Sequence, residues 1–318
     1  MKIVITGGAG FIGSQLALAL QDKHEILVID KMRNEEKFSN GNLKSLGHFK
    51  NLLGFKGELF VGDINEPCVF EKIEDFKAEV IFHQAAISDT TADDESLILR
   101  TNLNSFKNFI DLSIKLKARL IYASSASVYG DAVSPQIVGK DEMPKNPYAF
   151  SKLMMDHLAF KYSQKLDIVG LRYFNVYGKG EFFKGKTASM ILQFGLQILS
   201  GQNPRLFEGS EKIFRDFVYI KDVINANLKA LEAKSGVYNV ATSIPRSFQD
   251  IVDILQIELG TTLPCEYIKN PYAKAYQFHT QADLSNWGGL YEPKFSLEEG
   301  IKDYISEIKR IHEKEVNA

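Results

Sequence analysis

Cysteine is nearly absent from this sequence: Cys68 and Cys265 are its only two, far apart and without a partner pattern. That argues against a disulfide framework or a thiolate metal site and fits a reducing, cytoplasmic setting. No apolar run approaches the ~18 residues a spanning helix needs, so no membrane anchor is expected. Met1-Lys2 and the apolar residues after them bear a superficial likeness to a signal peptide. Gly7, Gly8 and Gly10 break that run at once, so it reads as a strand and a glycine loop. An excess of charge of either sign is missing too. With 38 Lys and Arg against 40 Asp and Glu, there is no field suited to nucleic acid or an anionic membrane. The histidines, His24, His48, His83, His157, His279 and His312, show no ligand spacing, and no metal is expected. Internal repeats, low-complexity tracts and long linkers are not found.

What is present is 45% hydrophobic composition over 318 residues, enough to bury a large core and long enough to divide into two lobes around a small-molecule cleft. Apolar runs predict strands over 2–6, 25–30, 58–61, 79–83, 119–124 and 167–172, each alternating with a helical segment such as 11–20. Alternation of this kind requires right-handed crossovers. The fold class is therefore α/β, a Rossmann-type doubly wound parallel sheet with helices on both faces. After Arg172 the alternation becomes irregular and Gly and Lys cluster from Tyr177 to Lys186. We expect residues 1–174 to form a dinucleotide-binding domain and 175–318 mainly a smaller substrate-binding lobe, with an approximate boundary and room for the two to interleave. A homo-oligomer is the expected assembly.

Gly7-Gly8-Ala9-Gly10-Phe11-Ile12-Gly13 places glycines at the first, fourth and seventh positions between the first strand and the first helix. A side chain at Gly7 or Gly10 would obstruct a pyrophosphate approaching backbone N–H groups at a helix N-terminus, and Gly13 lets the helix lie close to the sheet. Asp30, ending the second strand, is placed to accept hydrogen bonds from ribose hydroxyls, the usual sign of NAD. Lys31, Arg33 and Lys37 follow it, and cations there suit the extra phosphate of NADP. NADP is the expected cofactor, with NAD the alternative.

Tyr148 and Lys152 are four residues apart and so share one helix face. A phenol ordinarily titrates near pH 10. Beside a fixed ammonium and a nicotinamide cation, the phenolate is favoured and can take a hydroxyl proton while hydride leaves the same carbon. The motif gains weight from the preceding strand, which ends Tyr122-Ala123-Ser124-Ser125-Ala126-Ser127-Val128-Tyr129-Gly130.

Together these motifs resemble the extended short-chain dehydrogenase/reductase superfamily. The resemblance implies a catalytic set of Ser125, bonding the reacting oxygen, Tyr148, exchanging its proton, and Lys152, binding the nicotinamide ribose and holding the phenolate ionised. A narrower resemblance over nearly the whole chain is to the ADP-heptose 6-epimerase family, isomerases that complete the activated heptose of lipopolysaccharide. It rests on the segments His83 to Thr91, Arg172 to Gly178, Leu206 to Ser210, Arg215 to Tyr219, and Tyr276 with Thr280 to Leu284. It implies that Phe11, Ile12, Asp30, Lys31, Lys37, Gln84, Ala85, Ala86, Ile87, Ser88, Asn102 and Val176 line the cofactor. The ADP-sugar would be held by Asn175, Phe207, Glu208, Gly209, Ser210, Arg215 and Tyr276. Lys184 would be a second acid/base, beside the cofactor, serving the substrate after its carbonyl has turned. Lys186 and Gln193 stand where the family's substrate contacts are Ser and His.

Two other functions fit parts of this pattern. A UDP-hexose 4-epimerase shares the scaffold and the catalytic set. A dehydratase is disfavoured, because Ala126-Ser127 stands where such enzymes carry an acidic pair. A non-enzymatic cofactor-sensing protein would not need Ser125, Tyr148 and Lys152 together, since fold alone does not define function.

Overall fold

The computed structural model describes residues 1–270 and 278–316. Its first part runs β1 (Lys2–Thr6), α1 (Phe11–Leu20), β2 (Glu25–Asp30), β3 (Glu58–Val61), α2 (Pro67–Phe76) and β4 (Val80–His83). It continues with α3 (Glu95–Leu99), α4 (Ser105–Leu116), β5 (Arg119–Ser125), α5 (Pro147–Tyr162) and β6 (Ile168–Tyr173). Then come β7 (Asn175–Tyr177), α6 (Met190–Leu199), β8 (Arg205–Phe207), β9 (Phe214–Tyr219), α7 (Ile220–Lys229) and β10 (Gly236–Val240). The last elements are β11 (Pro245–Ser247), α8 (Phe248–Leu259), β12 (Glu266–Ile268) and α9 (Leu297–Ile311).

Seven strands form one parallel sheet in the order β10-β6-β5-β4-β1-β2-β3. Because successive strand residues face opposite ways, β1 splits its side chains between two cores. Ile3 and Ile5 pack with Leu16, Ala17 and Leu20 of α1. Val4 packs on the other side with Val69 and Ile73 of α2, Phe109 of α4 and Met155 of α5. The inner strands are therefore mainly apolar, as a sheet covered on both faces demands, while the edge strand β3 is largely exposed. The order reverses beside β1, where β2 and β4 flank it, and that is where a crevice opens at the carboxyl ends of parallel strands.

Beyond Tyr173 the chain leaves this sheet. β7 and β11 flank β9 in a three-stranded sheet, and β8 pairs with β12. These pieces pack with α6, α8 and α9, which extend the first core. The seventh strand of the main sheet, β10, comes from residues 236–240, so the chain passes between the two parts more than once. Asp216 of β9 fastens the smaller part: its buried carboxylate accepts from the N–H groups of Thr242, Ser243 and Ala282 at 2.8–3.0 Å and from the Thr242 hydroxyl. Among the described residues no helix is long and apolar enough to cross a membrane.

Candidate active site

At the crevice, the glycine loop is shaped by contacts that exclude a side chain. A Cβ on Gly7, whose φ is +68°, would stand 2.7 Å from the Ala85 nitrogen, and one on Gly13 would stand 2.3 Å from the Gly7 carbonyl oxygen. Gly7 therefore serves the close approach to the end of β4, and Gly13 the seating of α1. Gly10 is the helix N-cap and offers no side-chain acceptor, so the first-turn N–H groups of α1 are left for a ligand. Asp30 braces the loop, accepting from Ala9 N–H at 2.9 Å and Met32 N–H at 2.8 Å. Burial pushes its carboxyl above the ordinary range, against the pull of those two bonds.

The loop forms the floor of a cavity of about 850 Å³ that continues across the ends of β4, β5 and β6 to β9. Among its lining residues are Gly7, Gly10, Phe11, Ile12, Gly13, Asp30, Lys31, Gln84, Ala85, Ala86, Ile87 and Ser88. Ser125, Tyr148, Lys152, Asn175, Val176, Lys184, Lys186 and Arg215 line it as well. A cradle with no Cβ, an uncapped helix N-terminus and an elongated cavity fit a dinucleotide.

The reacting end is built on α5. Asn146 caps this helix through Ala149 N–H at 2.8 Å and Pro147 opens it, so the start is fixed by local chemistry. Tyr148, Lys152 and Asp156 then follow at four-residue steps on one face. Asp156 is buried under the sheet end, accepting from the Tyr122 hydroxyl at 2.8 Å, the Ser124 hydroxyl at 3.0 Å and Arg172 Nε at 2.8 Å. Arg172 is itself buried, pairs also with Glu142 at 2.5 Å, and stacks over Tyr129. Thus α5 is bolted to both β5 and β6.

Lys152 is only 2% exposed, and its ammonium donates to the Ala123 carbonyl at 2.7 Å. Burial pulls it down to about 8, partly opposed by the Asp156 charge. Its Nζ lies 5.9 Å from the centre of the Tyr148 ring. Burial pushes the Tyr148 phenol up, and the hydrogen bond with Ser125 works against that rise. The chain's own groups alone therefore leave the phenol raised, and the expected phenolate calls for the nicotinamide cation beside Lys152. Ser125 Oγ accepts from Ser127 N–H at 3.2 Å and from the Ser127 hydroxyl at 2.9 Å. Both its lone pairs are thereby engaged, and its own hydrogen is left to donate.

Several expected contact residues sit elsewhere. Lys37 is exposed, in a bridge to Leu43, and does not line the cavity, whereas Lys44 does. Lys31 lines the cavity with its ammonium 3.2 Å from Asp63. Asn102 is buried behind the wall. It accepts from Ile87 N–H at 2.8 Å and donates to the Ile87 carbonyl at 3.0 Å, thereby shaping the 84–88 loop. Gln193 donates to the Ala188 carbonyl at 2.7 Å and the Lys186 carbonyl at 3.3 Å, so it holds the Lys184 loop from behind. Phe207, Glu208, Gly209 and Ser210 connect β8 to β9 outside the lining, with the Ser210 hydroxyl buried and unpartnered. Tyr276 lies outside the described residues.

Sequence reasoning missed the strap formed by residues 36–47. Its Asn40 and Asn42 amides donate to Asp89 at 2.9 and 2.8 Å, and its Phe38 packs against Ile87, Ala92 and Ile98. His48 stacks on Phe183 at 3.7 Å, joining the strap's end to the Lys184 loop. Only the turn-forming Asn and Gly residues signalled this strap, and they do not say where it folds. Tyr173 lines the cavity as well. Its hydroxyl lies 3.1 Å from Gln84 Oε1 and from Asn227 Oδ1, to either of which it can donate.

Residues 3–241 match the NAD dependent epimerase/dehydratase family, and the chain belongs to it. It is 37% identical to an ADP-L-glycero-D-manno-heptose-6-epimerase of Brachyspira hyodysenteriae, over 97% of this chain and 98% of the relative. Among solved structures it resembles the ADP-L-glycero-D-manno-heptose-6-epimerase of Helicobacter pylori, with 48% identity, a TM-score of 0.89, and 97% and 96% of the two chains covered. A UDP-glucose 4-epimerase of Thermotoga maritima, solved with UDP-glucose, is 26% identical with a TM-score of 0.83, over 98% and 99% of the chains.

The depressed Lys152 ammonium carries a stability signature. The folded chain gives up that proton near pH 8 and the unfolded chain near 10.5, so the unfolded state binds more protons in between. Stability conferred by this site therefore rises with pH across that window. Chemical denaturation of the wild type at pH 7 and pH 9.5 should show this gain relative to Lys152→Met. Equal pH dependence of the two proteins contradicts the burial of a strained ammonium here.

Proposed function

We propose that the chain is an ADP-glycero-manno-heptose 6-epimerase that inverts carbon 6 of the sugar while NADP stays bound. One observation carries this reading: the Ser125, Tyr148 and Lys152 set on β5 and α5 faces the same cavity as Lys184, which a separate loop supplies. A lone acid/base suffices to oxidise one epimer, but inversion asks for proton exchange with a substrate that has turned. The two relatives of highest identity described above, both named as heptose epimerases, support the choice of sugar.

The residues divide the work as follows. Ser125 donates to the sugar hydroxyl oxygen, and Tyr148 as phenolate takes its proton. A bound nicotinamide would supply reversible hydride acceptance, and its positive charge would favour the phenolate that the protein alone does not. Lys184 then gives a proton to the carbonyl oxygen of the turned sugar. Burial lowers the Lys184 ammonium from its ordinary value, against the pull of Glu181, which eases that donation. Solvent protons reset the pair. Arg215, buried beside Phe248 and lining the far end of the cavity, suits the diphosphate of the sugar nucleotide.

NADP is favoured over NAD by Lys44, half-buried in the strap and lining the cavity. A cytoplasmic reaction is part of this proposal, and the two unpaired cysteines, Cys68 and Cys265, support it. Its product would supply activated heptose for lipopolysaccharide.

Purified protein incubated with ADP-heptose of one configuration should yield the carbon 6 epimer by NMR, with no reduced nicotinamide accumulating. Tyr148→Phe and Lys184→Met should each reduce turnover by about a hundredfold or more. Turnover of UDP-hexose in preference to ADP-heptose, or a stoichiometric demand for nicotinamide, overturns the assignment. For the cofactor, Lys44→Ala should weaken NADP roughly ten- to a hundredfold by calorimetry and NAD much less, as a lost charge-assisted contact to phosphate implies. Equal losses for both would show that Lys44 does not read the phosphate.

A further inference from the structure

The Lys184 loop contains a carboxylate for which the reaction as described has no use. Glu181 is 0% exposed, three residues before Lys184. Its Oε1 accepts from Gly178 N–H at 3.0 Å and from the Ser189 hydroxyl at 2.9 Å, while Oε2 accepts from Ser189 N–H at 2.6 Å. Every one of these partners is a donor, so the group is placed as an acceptor on both oxygens, the pattern of an ionised carboxylate. Gly178 and Ser189 are the two ends of the loop. Between them, Gly185 turns the chain at φ +57° in open space, and the Thr187 hydroxyl donates to the Lys184 carbonyl at 2.9 Å. The lysine therefore rides on a short, kinked segment pinned at its base by one buried charge.

We propose that Glu181 is the positioning residue of Lys184: its carboxylate gathers both ends of residues 178–189 and supplies the counter-charge that keeps the lysine an ammonium, aimed over Phe11 into the cavity. A buried carboxylate with only neutral donors would be costly, and so would a buried ammonium without a negative neighbour. Here each offsets the other. Lys184 Nζ lies 5.5 Å from the centre of the Phe11 ring, so the aromatic face of α1 assists from the opposite side. Burial raises the carboxyl of Glu181, and the Lys184 charge opposes that rise most among its neighbours. The other titratable groups facing Glu181 are the phenols of Tyr177 on β7 and Tyr304 on α9, both pushed well above their ordinary range and neutral at working pH. Among the described residues, Lys184 is thus the cation whose charge acts on Glu181. The inference deepens the two-base reading of the site and rests on it only for its effect on turnover.

The test reads Lys184 directly in the resting protein. Brief acetic anhydride labelling across pH, with the Lys184 peptide quantified by mass spectrometry, gives the pH at which half of this amine is free. In Glu181→Gln the midpoint should move to lower pH, because the proton loses its negative neighbour, and Glu181→Asp should restore part of the shift. An unmoved midpoint in a folded Glu181→Gln protein overturns the proposal. Where Glu181→Gln does not fold, the reciprocal experiment decides. Infrared difference spectra of Lys184→Met against wild type should show one carboxylate converted to a carboxylic acid, and no change overturns the idea. On turnover, Glu181→Gln should lose roughly tenfold or more in kcat with KM little changed, a fraction of what a positioned acid/base contributes. Its Lys184 limb in the pH profile should move the same way as the labelling. Normal epimerisation by Lys184→Met would remove the second base from the reaction, while the labelling midpoint would still decide whether Glu181 holds this lysine.

Discussion

The buried Asp156 carboxylate is the constraint on which the reacting geometry depends. It draws the hydroxyls of Tyr122 and Ser124 and the guanidinium of Arg172 to one point, so β5, β6 and α5 are locked together at their functional ends. A guanidinium and a carboxylate this far from water are costly to bury, and removing one partner of such a pair typically costs about 3–5 kcal/mol because the other is stranded. The gain is registration. With Asp156 fixed, the helix has no freedom to rotate, and Lys152 and Tyr148 must appear one and two turns nearer the cavity. The same carboxylate partly compensates the Lys152 ammonium, which is otherwise disfavoured by its dry surroundings.

A second constraint acts at the other end of the cavity. The glycine loop is squeezed between the end of β4, the Val28 side chain and the helix it precedes, leaving space for atoms that are not the protein's own. Over it lies the strap of residues 36–47, fastened through Asp89 and packed by Phe38. An epimerase must keep its reduced cofactor through the moment when the sugar turns, since a cofactor lost mid-cycle strands a ketone. Fastening the strap to the loop proposed to line the cofactor would serve that need. On the proposed reaction, fastened strap and bolted helix answer one requirement: the sugar moves while the walls around it stay fixed.

Much of this was legible in the sequence because it is local. β1, α1 and β2 fall on the expected residues, since apolar run, glycine spacing and helical periodicity are each confined to a few turns of chain. The pairing of Tyr148 with Lys152 needed only the helical repeat and a cap. What stayed hidden depends on pieces of chain brought together by folding. Nothing in the text near Asp156 announces that Arg172 will meet it, and nothing in residues 236–240 says that they return to the main sheet beside β6. Lys37 and Lys44 look alike in a polar stretch, and only the hairpin turn decides which one faces the cavity. Asn102 and Gln193 were read as ligand contacts, yet their amides are spent on the backbone of the walls, since a buried amide takes the nearest carbonyl or N–H it can reach. Glu181 is invisible for a similar reason: in sequence it is one acid in a Gly- and Lys-rich loop, and only burial gives it meaning.

The central claim is that carbon 6 is inverted by hydride that leaves and returns inside one cavity, with the oxygen-bound proton alone exchanging with solvent. Epimerisation of ADP-heptose in D2O tests this most directly. The account predicts that product NMR shows protium retained at carbon 6 through complete conversion. Deuterium entering that position in step with turnover would contradict it, since it would mean that the carbon is inverted by proton abstraction rather than by oxidation and reduction.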